Sequence, residues 1–331
     1  MTDAEVIAFD QIHTDVTALR QAIHRQLVGQ DDVVDQLIAG VLVGGHTLLI
    51  GVPGLAKTML VRCLAAGLGW DFRRIQFTPD MMPSDVIGTE LISESPETGR
   101  REMRFVPGPV FANLLLADEI NRTPPRTQAA LLEAMAEQQV TAAGESMTLD
   151  APFVVVATQN PIEQEGTYPL PEAQLDRFMF SLNVAYPGVE DERQIVDQLA
   201  PDGRAAISID PVMDKQTAVQ AAELIQRMPV SEHVRDYAVA LVRASRPNDE
   251  SSIDTVRQYV EWGAGPRGGQ YLVLGAKALA AMENQPTPSV EHVRRIAPAV
   301  LSHRVVLSYA AAGDGVTAQH VVNDLINTVK D

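Results

Sequence analysis

The sequence predicts an α/β domain with a central parallel sheet, followed by a smaller all-helical domain. In the N-terminal half, short continuous apolar runs alternate with segments of helical period, which is typical of parallel strands buried on both faces. The break Tyr186-Pro187-Gly188 ends this pattern, and only helical periods follow it. We therefore expect two domains, residues 1–186 and residues 187–331.

Composition and charge limit the class of protein. The chain has 331 residues, of which 46% are apolar and 21% charged, so it can bury two cores. A net charge of −17 argues against a surface built for nucleic-acid phosphates or anionic lipid. The single Cys63 rules out an internal disulfide. Since residues 1–11 do not resemble a signal peptide and no apolar stretch is long enough to span a bilayer, we expect a cytoplasmic protein.

Five strands and several helices are predicted in the first domain. In chain order, they are helices at 14–27 and about 31–43, a strand at 47–50, a helix at 59–68, strands at 72–77 and 113–117, a hairpin at 140–150, a strand at 153–158 and a last strand ending at 184. The segment 81–104 has an irregular pattern, so we expect an insertion that protrudes. Thr123 is the predicted N-cap of the helix after the third strand, with Pro124 at its first position.

The second domain shows helical periods only. They cover residues at about 190–200, 214–228, 231–245, 266–283, 289–302 and 317–330. Ser231, Ser289 and Thr317 are predicted N-caps, and Pro266 suits a first helical turn.

A glycine-rich loop lies between the first strand and the helix that follows it. Its sequence, residues 51–58, is GVPGLAKT, and strand, tight loop and helix form the context in which such a loop binds phosphates. Backbone N–H groups and the helix N-terminus favour anionic oxygens, Lys57 adds a cation, and Thr58 can offer a hydroxyl to Mg²⁺. The predicted triphosphate site comprises Gly51, Pro53, Gly54, Leu55, Ala56, Lys57 and Thr58. Ala56 replaces the usual glycine, and its methyl group requires a helical φ.

Polar residues follow directly after two other predicted strands. Asp118 and Glu119 follow the apolar run at 113–117, and Asn160 follows the strand at 153–158. Because the carboxyl ends of parallel strands meet at one edge of a sheet, we expect these side chains beside the glycine-rich loop. There the carboxylates can serve metal binding or base catalysis, and the asparagine can orient a water molecule.

Four stretches in order resemble the MoxR family of AAA+ ATPases. They are GVPGLAKT, LLLADEINRTPPRTQAALLEAMAEQQVT, ATQNP and LPEAQLDRF. The resemblance is dense over residues 27–186 and continues sparsely at 263–267 and 302–307, and Ala56 is the usual form in this family. It implies an AAA+ P-loop NTPase domain with a central parallel sheet, followed by an all-helical lid domain.

The resemblance also implies roles for the residues of the site. Lys57 would hold the β- and γ-phosphates of ATP, and Thr58 with Asp118 would hold Mg²⁺. Glu119 would be the general base that activates the attacking water. Asn160 resembles sensor 1, which positions that water or contacts the γ-phosphate.

Two arginines and one turn complete the implied site. Arg177 resembles the arginine finger that reaches the site of a neighbouring subunit; alternatively, it pairs with Asp176 or Glu172. Arg267 resembles sensor 2, which would tie the lid to the γ-phosphate; alternatively, it is an ordinary solvated side chain. The turn Val28-Gly29-Gln30 would border the adenine.

The resemblance further implies a homo-oligomer, which in this family is a hexameric ring. Such proteins act as chaperone-like motors on client proteins, commonly with a partner that carries a von Willebrand factor A domain. The 81–104 insertion and the 140–150 hairpin resemble the helix-2 insert and the pre-sensor-1 hairpin of the family, which face the pore or a partner.

The main prediction is Mg²⁺-dependent ATP hydrolysis that drives remodelling of partner proteins. Two alternatives remain: a magnesium-chelatase-type motor subunit, and an ATP-gated scaffold with little turnover. Intact Lys57, Asp118, Glu119 and Arg177 argue against the scaffold, because a scaffold needs neither a base nor a finger. The negative net charge argues against translocation on nucleic acid.

Overall fold

The computed structural model describes residues 3–94, 101–142, 144–163, 166–197 and 209–330. Helices and strands alternate in the N-terminal half. The elements up to the third strand of the central sheet are α1 (Asp3–His24), α2 (Asp31–Leu42), β1 (Thr47–Ile50), α3 (Lys57–Leu68), β2 (Phe72–Gln76), α4 (Pro83–Ile87), β3 (Gly88–Glu94), β4 (Arg101–Pro107) and β5 (Leu114–Asp118). They are followed by α5 (Pro125–Glu137), β6 (Gln139–Ala142), β7 (Glu145–Thr148), β8 (Val154–Gln159), α6 (Glu172–Leu175) and β9 (Phe180–Asn183).

Five of these strands form one parallel sheet in the order β2-β5-β8-β1-β9. Alternate residues of β1 enter different cores: Leu49 joins the cluster on one face and Leu48 the cluster on the other. Burial on both faces explains why the strands have continuous apolar runs rather than alternating ones. The predicted central parallel sheet is therefore confirmed.

The segment 81–104 differs from the irregular insertion that we expected. It contains α4 and an antiparallel hairpin of β3 and β4, paired from Gly88 opposite Pro107 to Glu94 opposite Arg101. Leu91, Ile92 and Met103 of this hairpin are exposed. None of the residues in β3 and β4 whose burial is described is buried, so the sequence has neither the alternating nor the continuous apolar pattern by which strands are recognised. Residues 95–100 lie outside the described residues.

Helix α5 begins later than predicted. Its N-cap is Pro124, not Thr123, and Pro125 is the first helical residue. The cause is steric, because a residue that precedes a proline is disfavoured in the α region, so Pro124 stays extended at φ −58° and ψ 152°.

The C-terminal part is mainly helical. Its helices are α7 (Val189–Asp197), α8 (Lys215–Arg227), α9 (Glu232–Ala244), α10 (Asp254–Tyr259), α11 (Pro266–Met282), α12 (Val290–Leu301), α13 (Tyr309–Asp314) and α14 (Ala318–Thr328). Ser231, Ser289 and Thr317 each accept a hydrogen bond from a first-turn backbone N–H, so all three predicted N-caps are confirmed. One addition is a short antiparallel ribbon of β10 (Val260–Trp262) and β11 (Val306–Leu307). Residues 198–200 of the first predicted helix lie outside the described residues.

Helix α11 attaches the C-terminal helices to the sheet. A Cβ on Gly275 would lie 2.9 Å from Ile296 of α12 and 3.1 Å from Phe180, the first residue of β9, so only glycine permits this close packing. One apolar core contains residues of both halves, including Val16 of α1 and Leu279 of α11. The domain boundary at 186/187 stays a prediction. Within the part of the chain that is described, no helix is both long enough and apolar enough to cross a bilayer.

Candidate active site

The strand order brings three predicted segments to one edge of the sheet. Strand β8 lies between β5 and β1, so the residues after these three strands are neighbours. The Gly51 N–H donates a hydrogen bond to the Gln159 carbonyl at 3.2 Å. A Cβ on Gly51 would lie 2.8 Å from the Val184 carbonyl oxygen, so the close approach of this loop to the end of β9 requires glycine.

Lys57 lies within the glycine-rich loop. Its Nζ donates hydrogen bonds to the carbonyls of Gly51 (2.6 Å) and Val52 (2.8 Å), and among the described residues it forms no ion pair. Burial lowers the pKa of Lys57, and the charges of Asp118 and Glu119 act in the opposite direction. An ammonium group that is bound only by carbonyl oxygens has charge left for an anionic ligand, as a phosphate site requires.

Ala56 does not have the right-handed helical φ that we expected. It is the N-cap of α3 and adopts the left-handed conformation at φ 55° and ψ 20°. The chain turns sharply from the loop into α3 here, and a glycine would make the same turn without steric conflict. For alanine the conformation costs on the order of 1 kcal/mol.

Asp118 is held by three polar side chains. Its Oδ1 accepts a hydrogen bond from the Thr158 hydroxyl at 2.6 Å. Its Oδ2 accepts one from the Thr58 hydroxyl at 3.2 Å and two from Arg74, at 2.7 Å from Nη2 and 3.0 Å from Nε. The structure thus brings together the predicted metal ligands Thr58 and Asp118. The sequence did not indicate Arg74 or Thr158, which reach Asp118 from the two neighbouring strands.

Glu119 is fixed at both its backbone and its side chain. Its N–H donates to the Thr158 hydroxyl (2.8 Å), and its Oε2 accepts hydrogen bonds from Gln76 (2.8 Å) and Arg122 (2.9 Å). Its Oε1 accepts none from the described residues, so one oxygen is available to a substrate or water. Gln76 was missed by the sequence analysis, although Gln76 pairs with Asp118 in the register of β2 and β5.

Asn160 has a buried hydrogen-bond donor without a partner. The residue is 4% exposed, and its Oδ1 accepts a hydrogen bond from the Ile162 N–H at 3.2 Å. Its Nδ2 has no partner among the described residues. An unsatisfied buried donor costs about 1–3 kcal/mol. A ligand oxygen or a water at the end of β8 would satisfy it, so the residues present fit a bound nucleotide.

The turn at residues 28–30 lies at the same edge of the sheet. Gly29 and Gln30 both have left-handed φ, at 71° and 63°. The Gln30 side chain donates to the Ala185 carbonyl (2.7 Å), and a Cβ on Gly29 would lie 2.8 Å from Asp191 Oδ2. The turn therefore packs against the segment that follows β9.

Arg177 and Arg267 lie at the opposite edge. Both line a cavity of about 200 Å³ together with residues that precede β1, such as His46. Strands β1 and β9 have four residues each, which separates the two edges by about 10 Å. The structure therefore does not bring Arg267 to the phosphate loop of its own chain, where sensor 2 was expected.

Asp176 pairs with two arginines of the C-terminal helices. Its Oδ2 accepts a hydrogen bond from Arg267 (3.1 Å), and its Oδ1 accepts one from Arg304 (2.8 Å). Arg177 does not form the alternative pair with Asp176 or Glu172, and its side chain has no hydrogen bond or ion pair within the described ranges. The charge of Arg177 is therefore not neutralised by any side chain of the described residues.

Arg304 has a structural role that the sequence did not indicate. In the sequence it was noted only as part of the stretch at residues 302–307. Its side chain is 2% exposed and lies over the Tyr271 ring at 5.0 Å. Besides the Asp176 carboxylate, it donates to the carbonyls of Asp176 (2.9 Å), Phe178 (2.6 Å) and Met179 (3.3 Å). Arg304 thus joins the C-terminal helices to the chain that enters β9.

Comparisons with known proteins agree with this arrangement. Residues 46–180 match the family model described as ATPase family associated with various cellular activities (AAA), and residues 254–325 match the AAA lid domain. The chain is 40% identical to Chaperone MoxR1 of Mycobacterium tuberculosis, over 96% of this chain and 82% of that protein. It is 40% identical to the uncharacterized protein YeaC of Bacillus subtilis, over 93% and 92%.

A solved structure has the same fold along nearly the whole chain. It is a crystal structure of a protein from Cytophaga hutchinsonii that is assigned as an ATPase, with a TM-score of 0.89 and 37% identity. The match covers 98% of this chain and 96% of that one.

Proposed function

The chain belongs to the MoxR family of AAA+ ATPases, and on that premise we propose that it hydrolyses ATP to ADP and phosphate in order to remodel or activate partner proteins. The observation that carries this proposal is the group of side chains beside the glycine-rich loop. Thr58, Asp118, Glu119 and the unsatisfied Asn160 converge there from three strands. They are the side chains that phosphoryl transfer to water requires.

The loop at residues 51–58 and the turn at residues 28–30 would bind ATP. The loop N–H groups and Lys57 would hold the phosphates, because both are positive and Lys57 has only carbonyl partners. Gly54 has a φ of 87°, and no described atom lies within 4 Å of the position that a Cβ would take, so the loop can approach a ligand closely here. Gly29 and Gln30 would border the adenine.

Thr58 and Asp118 would hold Mg²⁺, since a hydroxyl and a carboxylate oxygen are ligands that Mg²⁺ accepts. When bound, the ion neutralises phosphate charge and orients the transferred phosphoryl group. Arg74 binds the Asp118 oxygen that lies next to Thr58, so it would compete with the ion for that oxygen.

Glu119 would take a proton from the attacking water. Its Oε2 is bound by Gln76 and Arg122, which leaves Oε1 for that water. Asn160 would position the water through its unsatisfied Nδ2.

Arg177 and Arg267 would act on the nucleotide of a neighbouring subunit. Both lie at the edge of the sheet opposite the site of their own chain, so a head-to-tail arrangement would bring them to the next site. A closed arrangement of this kind is a ring, and we propose the hexamer of the family. This assignment replaces the expectation that Arg267 contacts ATP on its own chain.

Remodelling of a client protein would use an exposed surface outside the central sheet. The β3–β4 hairpin exposes Leu91, Ile92 and Met103, which offer apolar contact to a client protein. A partner with a von Willebrand factor A domain and a cytoplasmic location belong to the same proposal and rest on the family alone.

Two substitutions test the proposed chemistry. Lys57→Ala removes the cation that holds the phosphates, so we expect loss of ATP binding. Glu119→Gln removes only the base, so we expect ATP to bind without release of phosphate. Filter binding and phosphate release measure the two steps, and Lys215→Ala, which removes a lysine from the start of α8, is the matched control. Equal loss of ATP binding in the Lys57 and Glu119 variants would contradict the assigned roles.

A further inference from the structure

The C-terminal helices contain an apolar groove with a basic rim, which we call the α9–α11 groove. Its volume is about 730 Å³, and it lies between helices α9 and α11. Its apolar lining includes Val230, Val239, Val242, Val273 and Leu274, and its charged lining consists of Arg235, Arg243, Arg246 and Lys277. Among the described residues, no acidic side chain lines it.

Two of the cations on the rim lack acidic partners. Arg246 donates to the Ala264 carbonyl at 3.1 Å, and Lys277 donates to the Gln226 carbonyl at 2.6 Å. Within the described residues, neither side chain forms an ion pair. In a chain with a net charge of −17, this local positive charge favours an occupant that is acidic as well as apolar.

The groove adjoins the surface that the proposed function assigns to a subunit contact. Leu274 lines the groove and also the cavity that holds Arg177 and Arg267. If these arginines act on the next subunit, the groove borders that contact. The inference therefore rests on the proposed function.

Helix α7 has the complementary character. Val189, Ile195 and Val196 are 67%, 45% and 62% exposed, and α7 buries no residue. Val189 and Val196 are seven residues apart, so they lie on one side of the helix. The helix also contains Glu190, Asp191, Glu192 and Asp197.

Helix α7 is also at the correct edge of the molecule. It follows β9, and Asp191 packs against Gly29 in the turn that would border the adenine. A neighbour that brings Arg177 to the nucleotide must approach this edge. The surface with the groove and the surface with α7 would therefore meet in a head-to-tail contact.

We propose that the α9–α11 groove receives helix α7 of a neighbouring copy of this chain. Val189 and Val196 enter the apolar part of the groove, and Glu192 lies near the unpaired cations Arg246 and Lys277. The same contact links the lid of one subunit to the adenine side of the next.

Cross-linking between two chains tests the contact directly. In a Cys63→Ala background, one population of full-length chains contains Val196→Cys and another contains Val239→Cys. After mixing with ATP and mild oxidation, we expect a disulfide-linked pair of chains. The matched control replaces Val196→Cys with Gln194→Cys, which lies on the opposite side of α7 and should not cross-link. Cross-linking no stronger than in this control would overturn the proposal.

Charge reversal tests it without cysteines. Glu192→Lys and Lys277→Glu should each weaken self-association about tenfold, since each sets like charges against one another across the contact. The double variant, which combines Glu192→Lys with Lys277→Glu and restores opposite charges, should recover most of the self-association. Sedimentation measures association, and thermal unfolding verifies that Lys277→Glu is folded. Unchanged association in both single variants would overturn the proposal and leave the groove to another occupant, such as an acidic client segment.

ATP binding by the same proteins separates the two hypotheses. If the variants bind ATP, but the cysteine pair does not cross-link and the charge variants do not lose association, only the groove contact is overturned. Absence of ATP binding in the unmodified chain would overturn the proposed function.

Discussion

Arg74 places a positive charge on the carboxylate oxygen of Asp118 that a metal ion would use. We expect Arg74→Gln to lower the Mg²⁺ concentration for half-maximal ATP hydrolysis roughly twofold, because a half-exposed ion pair contributes about 0.5 kcal/mol. Magnesium titration of the ATPase rate measures this change. Arg73→Gln is the matched control, since Arg73 lies on the same strand but pairs with Asp71. A higher magnesium requirement in the Arg74 variant would show that Arg74 supports the metal site instead.

His46 is buried as a neutral imidazole. Its Nδ1 accepts a hydrogen bond from the Val155 N–H (3.0 Å), and its Nε2 donates to the Met135 carbonyl (3.2 Å). Burial lowers the pKa of His46 from 6.5 to about 4. Below pH 6.5 the unfolded chain binds a proton that the folded chain does not, so stability falls as the pH decreases from 6.5 to about 4.

The loss of folding stability that His46 causes at acid pH should disappear in the His46→Asn variant. The pKa difference corresponds to a loss of about 3 kcal/mol across that range, and asparagine cannot take up the proton. Denaturant unfolding at several pH values measures the slope. Substitution of the exposed His233 on α9 should leave the slope unchanged. An unchanged slope in His46→Asn would mean that other groups govern acid unfolding.

At the scale of elements, helices α11 and α12 are attached to the entrance of β9 through Asp176. Arg304 and Arg267 bind the same carboxylate, but Arg304 is buried and Arg267 is about half exposed. We expect Arg304→Met to lower the free energy of unfolding by about 3 kcal/mol, because buried carbonyls and part of the carboxylate lose their donor. Arg267→Met should cost less than about 1 kcal/mol. Urea unfolding without nucleotide compares the two variants, and equal losses would contradict this division.

The β3–β4 hairpin shows why some strands could not be predicted from the sequence. Its strands pair only with each other and expose apolar side chains on a surface. Burial against a core gives a strand its sequence pattern, so a hairpin held mainly by backbone hydrogen bonds has none. The ribbon of β10 and β11 has a different reason: its strands have three and two residues, too few to show a period, although Val260 is buried in the core.

At the scale of the whole molecule, the phosphate loop and Arg177 lie at opposite edges of the sheet. We therefore expect Arg177→Ala to reduce the rate of hydrolysis and leave ATP affinity nearly unchanged, because its own site does not contain Arg177. Mixing Arg177→Ala chains, which have an intact site, with Lys57→Ala chains, which have an intact finger, should restore part of the activity. Rate measurements against the mixing ratio test this, and a strictly additive result would show that Arg177 does not act between subunits.

The sequence by itself determined the parallel α/β domain, the helical lid and the residues that end the strands. Lys57, Thr58, Asp118, Glu119 and Asn160 could be placed together because parallel strands deliver their carboxyl ends to one edge. Their local patterns, a glycine-rich loop and apolar runs with polar ends, are properties of contiguous residues.

Only the tertiary structure decided the positions of Arg267, Arg74 and Gln76. Arg74 and Gln76 act on Asp118 and Glu119 through the pairing of β2 with β5, which joins residues more than 40 positions apart. Arg267 was expected at its own phosphate loop, but Asp176 and the packing of α11 on β9 hold it at the opposite edge. Such placements depend on contacts between distant elements, and a motif specifies only the order of its own residues.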